Sequence, residues 1–389
     1  MLLAALAMLG PFSVDTYLPA FPAIQSSLNT SAIEVQQTLT AYMLSFAFMM
    51  LWHGAISDAL GRRNIILVAL FVFAVATLGC ASAHTIHYLW VFRILQGLSA
   101  GAGMVVGRAI IRDLYSGPAA QRLLSLVTMI FSIAPALAPV LGGWIVTLLD
   151  WRSIFLFLFF YTVALFGFCF RFLPESLPKE NRHEFSVPVL AASYKSVFGS
   201  AAFHLQSGTI AFNFAGLFLY VASAPVFLTR HLGLSAHQFA WQFVPMVGGI
   251  FLGALGANRL AGRIPLNRQV RIGYFFLTGA AVCNVTYHLF FPAAIPWSVV
   301  PLFFYAIGMS LVAPGVTLMT LDLFPNTRGI VASCQSCVVT FLAGIVAGVI
   351  APILDHSPVW LAYGQFGFAC CAMLCWHLSK KARSEPLTH

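Results

Sequence analysis

The stretch 54-GAISDALGRRNIIL-67 stands between two apolar runs, at about residues 36–56 and 64–83, and this alternation decides the fold. Its aspartate and its two adjacent arginines would be costly in the hydrocarbon core of a bilayer. Each flanking run has about the 20 residues that a membrane-spanning helix requires. We therefore interpret the stretch as a short loop between two spanning helices.

The whole chain has the composition of a membrane protein. Of its 389 residues, 60% are hydrophobic and only 8% are charged, whereas about a quarter of the residues in a soluble domain are charged. The sequence predicts an all-α polytopic membrane protein with twelve transmembrane helices. The predicted spans are about 2–24, 36–56, 64–83, 87–110, 122–148, 153–173, 206–228, 238–260, 270–291, 296–319, 329–353 and 358–378.

A single long polar interval divides the twelve predicted spans into two groups of six. We predict an N-terminal six-helix bundle at 1–173, a central loop at 174–204, and a C-terminal six-helix bundle with a short tail at 205–389. The loop after the eighth span, 256-GANRLAGRIPLNRQV-270, weakly repeats the opening stretch, with Asn258 in place of Asp58. Two halves of like organisation are expected of a transporter whose pathway lies between repeats.

The basic residues predict the orientation of the chain in the membrane. All but three of the 20 lysines and arginines fall on one side; Arg152 and Arg230 lie on the other, and Arg93 lies within the fourth span. Loops rich in lysine and arginine face the cytoplasm. We therefore expect both termini and the central loop to be cytoplasmic, and we read the net charge of +9 as a topology signal without a nucleic-acid partner.

Three motifs, in this order along the chain, resemble those of the major facilitator superfamily. The opening stretch resembles the cytoplasmic loop signature of that family, 93-RILQGLSAGAG-103 resembles its R-x-x-q-G motif, and 134-APALAPVLGG-143 resembles the proline–glycine motif of its drug:proton exporters. The twelve predicted spans extend the resemblance over the whole chain. It implies the major facilitator fold, with two six-helix bundles.

Shorter segments resemble the Bcr/CflA drug-resistance transporters, which include bicyclomycin and chloramphenicol exporters. These segments are DTYLPAFPAI in the first span, RDLY at 112–115, LPESLP at 173–178 and DLFPNTRG at 322–329. The resemblance implies proton-coupled efflux (drug:H+ antiport) of small, mostly lipophilic compounds across the bacterial inner membrane by alternating access. The expected partners are a small-molecule substrate, protons and the lipid bilayer, and we expect a monomer.

Asp15, within 9-LGPFSVDTYLPAFP-22, is the only one of the eleven acidic residues that lies well inside a predicted span. Burying an ionisable group there costs at least about 2.5–3.5 kcal/mol, so such residues usually serve a function. Arg93 lies at a compatible depth in the fourth span. We interpret Asp15 as the proton-coupling residue, tuned by Arg93, and the resemblance places both at positions associated with coupling. A static ion pair at Asp15, or an Arg93 that bonds carbonyl groups between helices, is the alternative.

The cytoplasmic loop signature predicts a gating site. Asp58, Arg62 and Arg63 can meet Asp113 at the inner end of the fourth span, and the resemblance implies a latch on the outward-facing state. The alternative is that Arg62 and Arg63 only set the topology. The predicted gating motif comprises Gly54, Asp58, Gly61, Arg62, Arg63 and Asp113.

Two further groups of residues are candidates for transport roles. Small residues and prolines in the fifth span would permit close packing and a bend, which favours an antiporter helix motif, although ordinary tight packing accounts for them equally. Polar and aromatic residues could line a drug cavity, although most aromatic residues here serve packing. The antiporter motif is Pro135, Pro139, Gly142 and Gly143, and the cavity candidates are Phe12, Tyr42, Phe46, Asn213 and Gln335.

The sequence argues against an enzyme. No nucleophile–base set or cluster of metal ligands gathers at one depth of the spans, and no G-x-x-x-x-G-K-[ST] phosphate-binding loop occurs. We therefore predict no metal and no cofactor. The alternative within transport is an exporter of an endogenous metabolite, such as an amino acid or small peptide, with drug efflux incidental.

Overall fold

A computed structural model of the chain describes residues 1–182, 185–325 and 327–384. Within those ranges every regular element is a helix. Helices are expected because a segment that crosses lipid has no water to bond its backbone and must satisfy its N–H and C=O groups internally. The predicted all-α class is confirmed.

Within residues 1–182, which the structure describes, eight helices form the first six spans. α1 and α2 make up the first span, divided by a 3-10 turn at Leu18–Ala20, and α5 and α6 make up the fourth. The bounds are α1 Leu2–Asp15, α2 Phe21–Ser27, α3 Ala32–Leu60, α4 Arg62–Ala81, α5 Ile86–Ala100, α6 Ala102–Leu114, α7 Gly117–Leu148 and α8 Arg152–Phe172.

Nine helices follow within residues 185–325 and 327–384. Two of them are single turns, and five-residue π-helical segments at Phe227–His231 and Val346–Ile350 extend the seventh and eleventh spans. The bounds are α9 Val187–Phe198, α10 Ala201–Ala222, α11 Ala224–Val226, α12 Ala240–Leu260, α13 Leu266–Phe290, α14 Val300–Asp322, α15 Arg328–Ile345, α16 Ala351–Leu354 and α17 Pro358–Ser384.

The described residues form twelve helical spans, as predicted. Among the described residues, eleven are long and apolar enough by composition. The twelfth is α13, whose first turns contain Asn267, Arg268, Gln269 and Arg271 and are therefore too polar to stand out. Its 25 residues give a helix of about 37 Å at 1.5 Å per residue, which exceeds the roughly 30 Å of the hydrocarbon core.

The chain divides into two compact units, Met1–Ala191 and Ala192–His389. The division falls inside the predicted central loop, and the predicted boundaries 1–173, 174–204 and 205–389 stay a prediction. Part of that loop is helical, with a 3-10 turn at Lys179–Asn181 and the 12-residue helix α9. Proline at the second position of α9 favours a helix start, because the N–H groups of the first turn have no acceptor within the helix and the missing one costs nothing. Residues 183 and 184 of the predicted loop lie outside the described residues.

Both ends of α3 are fixed by local sequence. At its start, the Ser31 hydroxyl accepts a hydrogen bond from the backbone N–H of Glu34 at 3.2 Å, and the Glu34 carboxylate accepts from the N–H of Ser31 at 2.9 Å. This reciprocal pair caps the helix. At its end, Gly61 adopts a φ of +97°, which favours glycine, and α4 begins at the next residue.

Small residues let the other helices of the first unit approach α1 closely. A Cβ atom at Gly103 of α6 would lie 2.5 Å from the carbonyl oxygen of Leu6, and one at Gly142 of α7 would overlap the backbone of Thr16. Thr16 follows directly after Asp15, where α1 ends. The close approach of α7 therefore places its backbone against the residue that follows Asp15, the predicted proton-coupling residue.

Candidate functional site

The first unit encloses a buried arginine, Arg93, on α5, whose side chain is 0% exposed. One guanidinium nitrogen, Nη1, donates to the Ser13 carbonyl oxygen at 3.2 Å, to the Ser13 hydroxyl at 3.1 Å and to Oε1 of Gln96 at 2.9 Å. Gln96 lies one turn further along α5, and its Nε2 donates to the hydroxyl of Thr77 at 2.8 Å. Arg93 thus links α1, α4 and α5 through neutral acceptors.

Two tyrosine rings enclose the Arg93 guanidinium. Its central carbon lies 4.6 Å from the ring centroid of Tyr17 and 4.4 Å from that of Tyr42. Tyr17 is fixed by a hydrogen bond of 2.7 Å between its hydroxyl and that of Thr38. The negative faces of aromatic rings attract a cation, so the two rings stabilise a buried charge that makes no ion pair with any described residue.

Asp15 is buried, with 6% of its surface exposed, but it does not pair with Arg93. Within the described residues, the Asp15 carboxylate makes neither a hydrogen bond nor an ion pair, and the Nε and Nη2 atoms of Arg93 have no partner. The contact goes to Ser13 instead, because residues two apart on a helix point about 200° apart. The two predicted coupling residues therefore lie in one buried region, each with unused hydrogen-bonding capacity.

Sequence reasoning missed three contributors to this buried polar cluster. Ser13, Tyr17 and Gln96 all contact Arg93. A signal existed for Gln96, which follows Arg93 by three residues in the quoted motif and therefore lies on the same face of the helix. Tyr17 follows Ser13 by four residues and keeps a helical backbone, so it lies on the same face, but nothing in the sequence indicated that this face meets Arg93.

The antiporter helix motif lies on α7. Both prolines are inside the helix, which continues through them. Gly142 is buried against the backbone of Thr16, and the carbonyl of Gly143 accepts a hydrogen bond from the Thr147 hydroxyl at 2.7 Å. The motif thus provides a close contact between α7 and the break that follows Asp15.

The predicted cavity residues are mostly enclosed by neighbours. Phe12 stacks on Tyr161 at a centroid distance of 5.8 Å. Tyr42 belongs to the aromatic pair around Arg93, and Phe46 stacks on Tyr42 at 5.9 Å. Of these residues only Phe46 is partly exposed, so a role as cavity lining stays a prediction.

The two cavity candidates of the second unit are buried amides with unused capacity. Asn213 on α10 is 2% exposed and Gln335 on α15 is 6% exposed. Among the described residues, the Oδ1 atom of Asn213 and the Nε2 atom of Gln335 have no hydrogen-bond partner within 3.5 Å. Buried polar atoms are usually bonded, so both atoms suit a solute or water.

Arg62 is the centre of the predicted gating motif. It is 8% exposed, and its Nε lies 3.0 Å from the Asp113 carboxylate while its Nη1 donates to the Ser57 hydroxyl at 2.7 Å and also contacts Asp58. Gly54 supports the same turn, since its carbonyl accepts from the Ser57 hydroxyl at 2.8 Å. The motif is therefore a connected network with one arginine between two acids.

A fifth group, Glu175, joins this network from beyond the sixth span. Its Oε1 accepts from the backbone N–H of Arg62 at 2.9 Å and from that of Leu177 at 3.1 Å, and its Oε2 lies 3.6 Å from Arg182. A carboxylate at the start of α4 also favours the helix dipole. Gly61 leaves room for it, because a Cβ atom there would lie 2.5 Å from the Glu175 carboxylate. We call these contacts the Glu175 clasp.

Arg63 does not join the network. Its Nη2 donates to the carbonyl oxygen of Phe170 at 2.6 Å, and its guanidinium lies 5.6 Å from the Phe170 ring. It follows Arg62 directly, and adjacent residues on a helix point about 100° apart, so Arg63 faces α8 while Arg62 faces Asp113. The Ser176 hydroxyl donates a hydrogen bond of 2.9 Å to the Asp113 carboxylate and so joins the network instead of Arg63.

No group of three or more histidine, cysteine, aspartate or glutamate side chains suited to a metal ion occurs among the residues that the structure describes.

Comparison with known proteins then decides the family. Residues 3–352 match the family model described as Major Facilitator Superfamily. The chain belongs to the Major Facilitator Superfamily.

Relatives place this Major Facilitator Superfamily chain with the Bcr/CflA-type transporters. It is 31% identical to the uncharacterized MFS-type transporter YdgK of Bacillus subtilis, over 91% of the chain and 87% of that protein. It is 30% identical to a bicyclomycin resistance protein homolog of Haemophilus influenzae, over 71% and 70%, and 29% identical to multidrug resistance protein D of Escherichia coli, over 97% and 94%.

A solved structure supports the fold. The human organic anion transporter MFSD10 (TETRAN) is similar with a TM-score of 0.71 and 18% identity, covering 97% of this chain and 98% of that one. At that identity the likeness concerns the fold alone. The protein is a multi-pass membrane transporter of the Major Facilitator Superfamily, whose members handle small molecules and are not enzymes.

Proposed function

We propose that this transporter exports small, mostly lipophilic compounds in exchange for protons across the bacterial inner membrane. The proposal depends mainly on one observation: a buried acid and a buried cation, each with unused hydrogen-bonding atoms, lie in the same region of the first unit. Within the described residues, Asp15 is a buried carboxyl that makes no ion pair, and Arg93 is a buried cation with two unused donor atoms. The names of two relatives, which concern multidrug and bicyclomycin resistance, support drugs as the substrate class.

Proton coupling follows from the cost of burying charge. An ionised Asp15 without a partner would be costly in this surrounding, so the arrangement suits the protonated carboxyl. Loss of the proton creates an anion whose best neighbour is the unused edge of the Arg93 guanidinium. Moving Asp15 towards Arg93 requires a rotation of the end of α1, and the break between α1 and α2 is where such a rotation can occur.

Alternating access requires only that proton and solute stabilise different conformations. In the proposed cycle, a proton taken up at Asp15 from outside accompanies release of solute, and loss of the proton to the cytoplasm accompanies binding of solute. The network of Arg62, Asp58 and Asp113, with the Glu175 clasp, acts as a latch that favours one state. Single exposed ion pairs contribute only about 0–1 kcal/mol, but linked pairs suffice to bias a nearly balanced equilibrium.

Orientation and assembly belong to the same proposal. The concentration of lysine and arginine on one side of the spans supports cytoplasmic termini. A monomer is sufficient, since both proposed coupling residues lie within the first unit.

Export of an endogenous metabolite such as an amino acid or small peptide is the second candidate. The unused amide atoms of Asn213 and Gln335 favour it, because they would bond a polar solute better than a lipophilic one. The fold and the coupling would be the same.

The test compares Asp15→Asn with wild type in an efflux-deficient bacterium, across chloramphenicol-like, sulfonamide and bicyclomycin-like compounds. Asp150→Asn, the same change at an exposed acid in a loop, is the matched control. We expect Asp15→Asn to abolish both resistance and drug-driven proton release from everted vesicles at equal expression, while the control retains both. Normal pH-dependent efflux by Asp15→Asn would refute proton coupling. Proton release driven by metabolites but by no drug would favour the second candidate.

A further inference from the structure

The second unit carries a group of arginines at the end of α12 and the start of α13 that make no ion pair with any described residue. The α12–α13 arginine cluster comprises Arg259, Arg263, Arg268 and Arg271, and all four are exposed. In the part of the chain that the structure describes, none of the four side chains makes an ion pair. Four unpaired positive charges within 13 residues repel one another unless an anion lies among them.

The surrounding elements supply no acid. The sequence from 240 to 290, which covers α12, the connecting turn and α13, contains neither aspartate nor glutamate. α14 packs against both helices, and its one acid, Asp322, is paired with Arg328 at 2.8 Å. The cluster therefore finds no counter-charge within the described residues of its own unit.

The corresponding loop of the first unit is different. Arg62 lies between two carboxylates and Arg63 bonds a carbonyl oxygen. Topology explains why both loops are basic, but it does not explain why one loop satisfies its arginines and the other leaves them open. The open donors of the second loop indicate a partner that comes from outside the protein.

The positions of the arginines indicate what that partner is. Arg268 and Arg271 share a helical face with Phe275 and Val282, which are 76% and 49% exposed, because steps of three, four and seven residues keep to one face. Exposed apolar side chains on a spanning helix contact lipid tails. Arg259 likewise follows the exposed Leu252 by seven residues. The guanidinium groups thus stand where the lipid-facing stripes reach the headgroups.

We propose that the α12–α13 arginine cluster binds the headgroup phosphate of an anionic phospholipid. Guanidinium groups bind phosphate through two parallel N–H···O bonds. The aliphatic parts of the side chains and the adjacent Phe275 contact the acyl chains. A soluble acidic protein segment would satisfy the charges but would leave the apolar stripes without a role in binding.

The experiment titrates the purified full-length protein in neutral detergent with dioctanoyl-phosphatidylglycerol and follows the thermal unfolding midpoint. Each arginine near an anionic lipid contributes about a fivefold gain in affinity. We expect the triple variant Arg259→Gln, Arg268→Gln, Arg271→Gln to bind this lipid roughly 100-fold more weakly than wild type. Dioctanoyl-phosphatidylcholine, which has no net charge, should stabilise both proteins equally and weakly.

A matched control removes the same charge elsewhere on the basic side of the chain. It is the triple variant Arg122→Gln, Lys179→Gln, Lys195→Gln, and it should bind phosphatidylglycerol as wild type does. If the glutamine variant of the cluster does not fold, the corresponding Arg→Lys triple keeps the charge but loses the bidentate geometry, and it should bind with intermediate affinity.

Several results would overturn the proposal. These are equal phosphatidylglycerol affinity in the cluster variant and the control variant, equal stabilisation of wild type by phosphatidylglycerol and phosphatidylcholine, and full stabilisation by inorganic phosphate or by a polyglutamate peptide alone. The last result would assign the surface to a soluble anion or an acidic protein.

Discussion

Replacing Tyr17 by leucine should impair coupling far more than replacing it by phenylalanine. The Arg93 guanidinium lies 4.6 Å from the Tyr17 ring and 4.4 Å from the Tyr42 ring. A desolvated cation–π contact is worth about 2 kcal/mol, and phenylalanine keeps the ring. The hydrogen bond between Tyr17 and Thr38, of 2.7 Å, contributes about 1 kcal/mol.

The two variants therefore differ by about 2 kcal/mol in how firmly they hold Arg93. If the whole difference acts on the fraction of molecules with Arg93 in place, it corresponds to roughly a 30-fold difference in that fraction. The assay is drug-driven proton release from everted vesicles, measured from about pH 6 to 8 at equal amounts of folded protein. We expect Tyr17→Phe to keep most of the rate and the pH profile of wild type. Tyr17→Leu should lose most of the rate and shift the profile, because Arg93 no longer keeps a fixed place in the buried region that it shares with Asp15.

The control is Tyr88→Leu, which removes a half-exposed ring from the same helix as Arg93. It should leave the rate and the pH profile unchanged. Equal rates and profiles in folded Tyr17→Phe and Tyr17→Leu would refute the reasoning, since the ring would then have no part in placing the charge.

Two further predictions concern charged groups outside the buried cluster. Glu175→Gln should lower the free energy of unfolding by about 1 kcal/mol, because it weakens a charge-assisted hydrogen bond to the N–H of Arg62. Its thermal unfolding midpoint should lie below that of the control variant Glu180→Gln. Equal midpoints in the two variants would contradict the Glu175 clasp. Burial raises the pKa of Asp355 from 3.8 to about 6, against the effect of nearby positive groups. The folded state therefore binds more protons than the unfolded state between about pH 4 and 6, so this group makes stability fall as pH rises through that window. Asp355→Asn should remove the fall in midpoint, and a fall of equal size in the variant would exclude Asp355 as its source.

The sequence was most informative about the spans. Lipid forces helices upon apolar runs, so run length alone predicts their number, and even α13 was found despite its polar start. The helix α9 was not predicted, because the charged residues at the start of the interval 174–204 led us to interpret the whole interval as a loop. The family itself followed from short motifs whose order along the chain is specific.

The sequence was less informative about which side chains meet. It places Asp15 and Arg93 at a common depth, but rotation about the helix axis decides that Ser13 contacts Arg93. Glu175 follows Arg62 by 113 residues, and no local pattern connects them. The aromatic pair around Arg93 joins Tyr17, just after α1, to Tyr42 on α3, and no local pattern connects these two residues.

The Glu175 clasp determines where the chain can be cut and joined to a homologous transporter in a chimera. A chimera joined directly after the sixth span would combine the Gly61 turn of one parent with the linker acid of another, and the N–H of Arg62 would lose its matched acceptor. A junction placed after Arg182 carries the turn, the acid and its second arginine together. When transporters of this family are recombined, the N-terminal segment taken from this chain should therefore extend ten residues past Phe172.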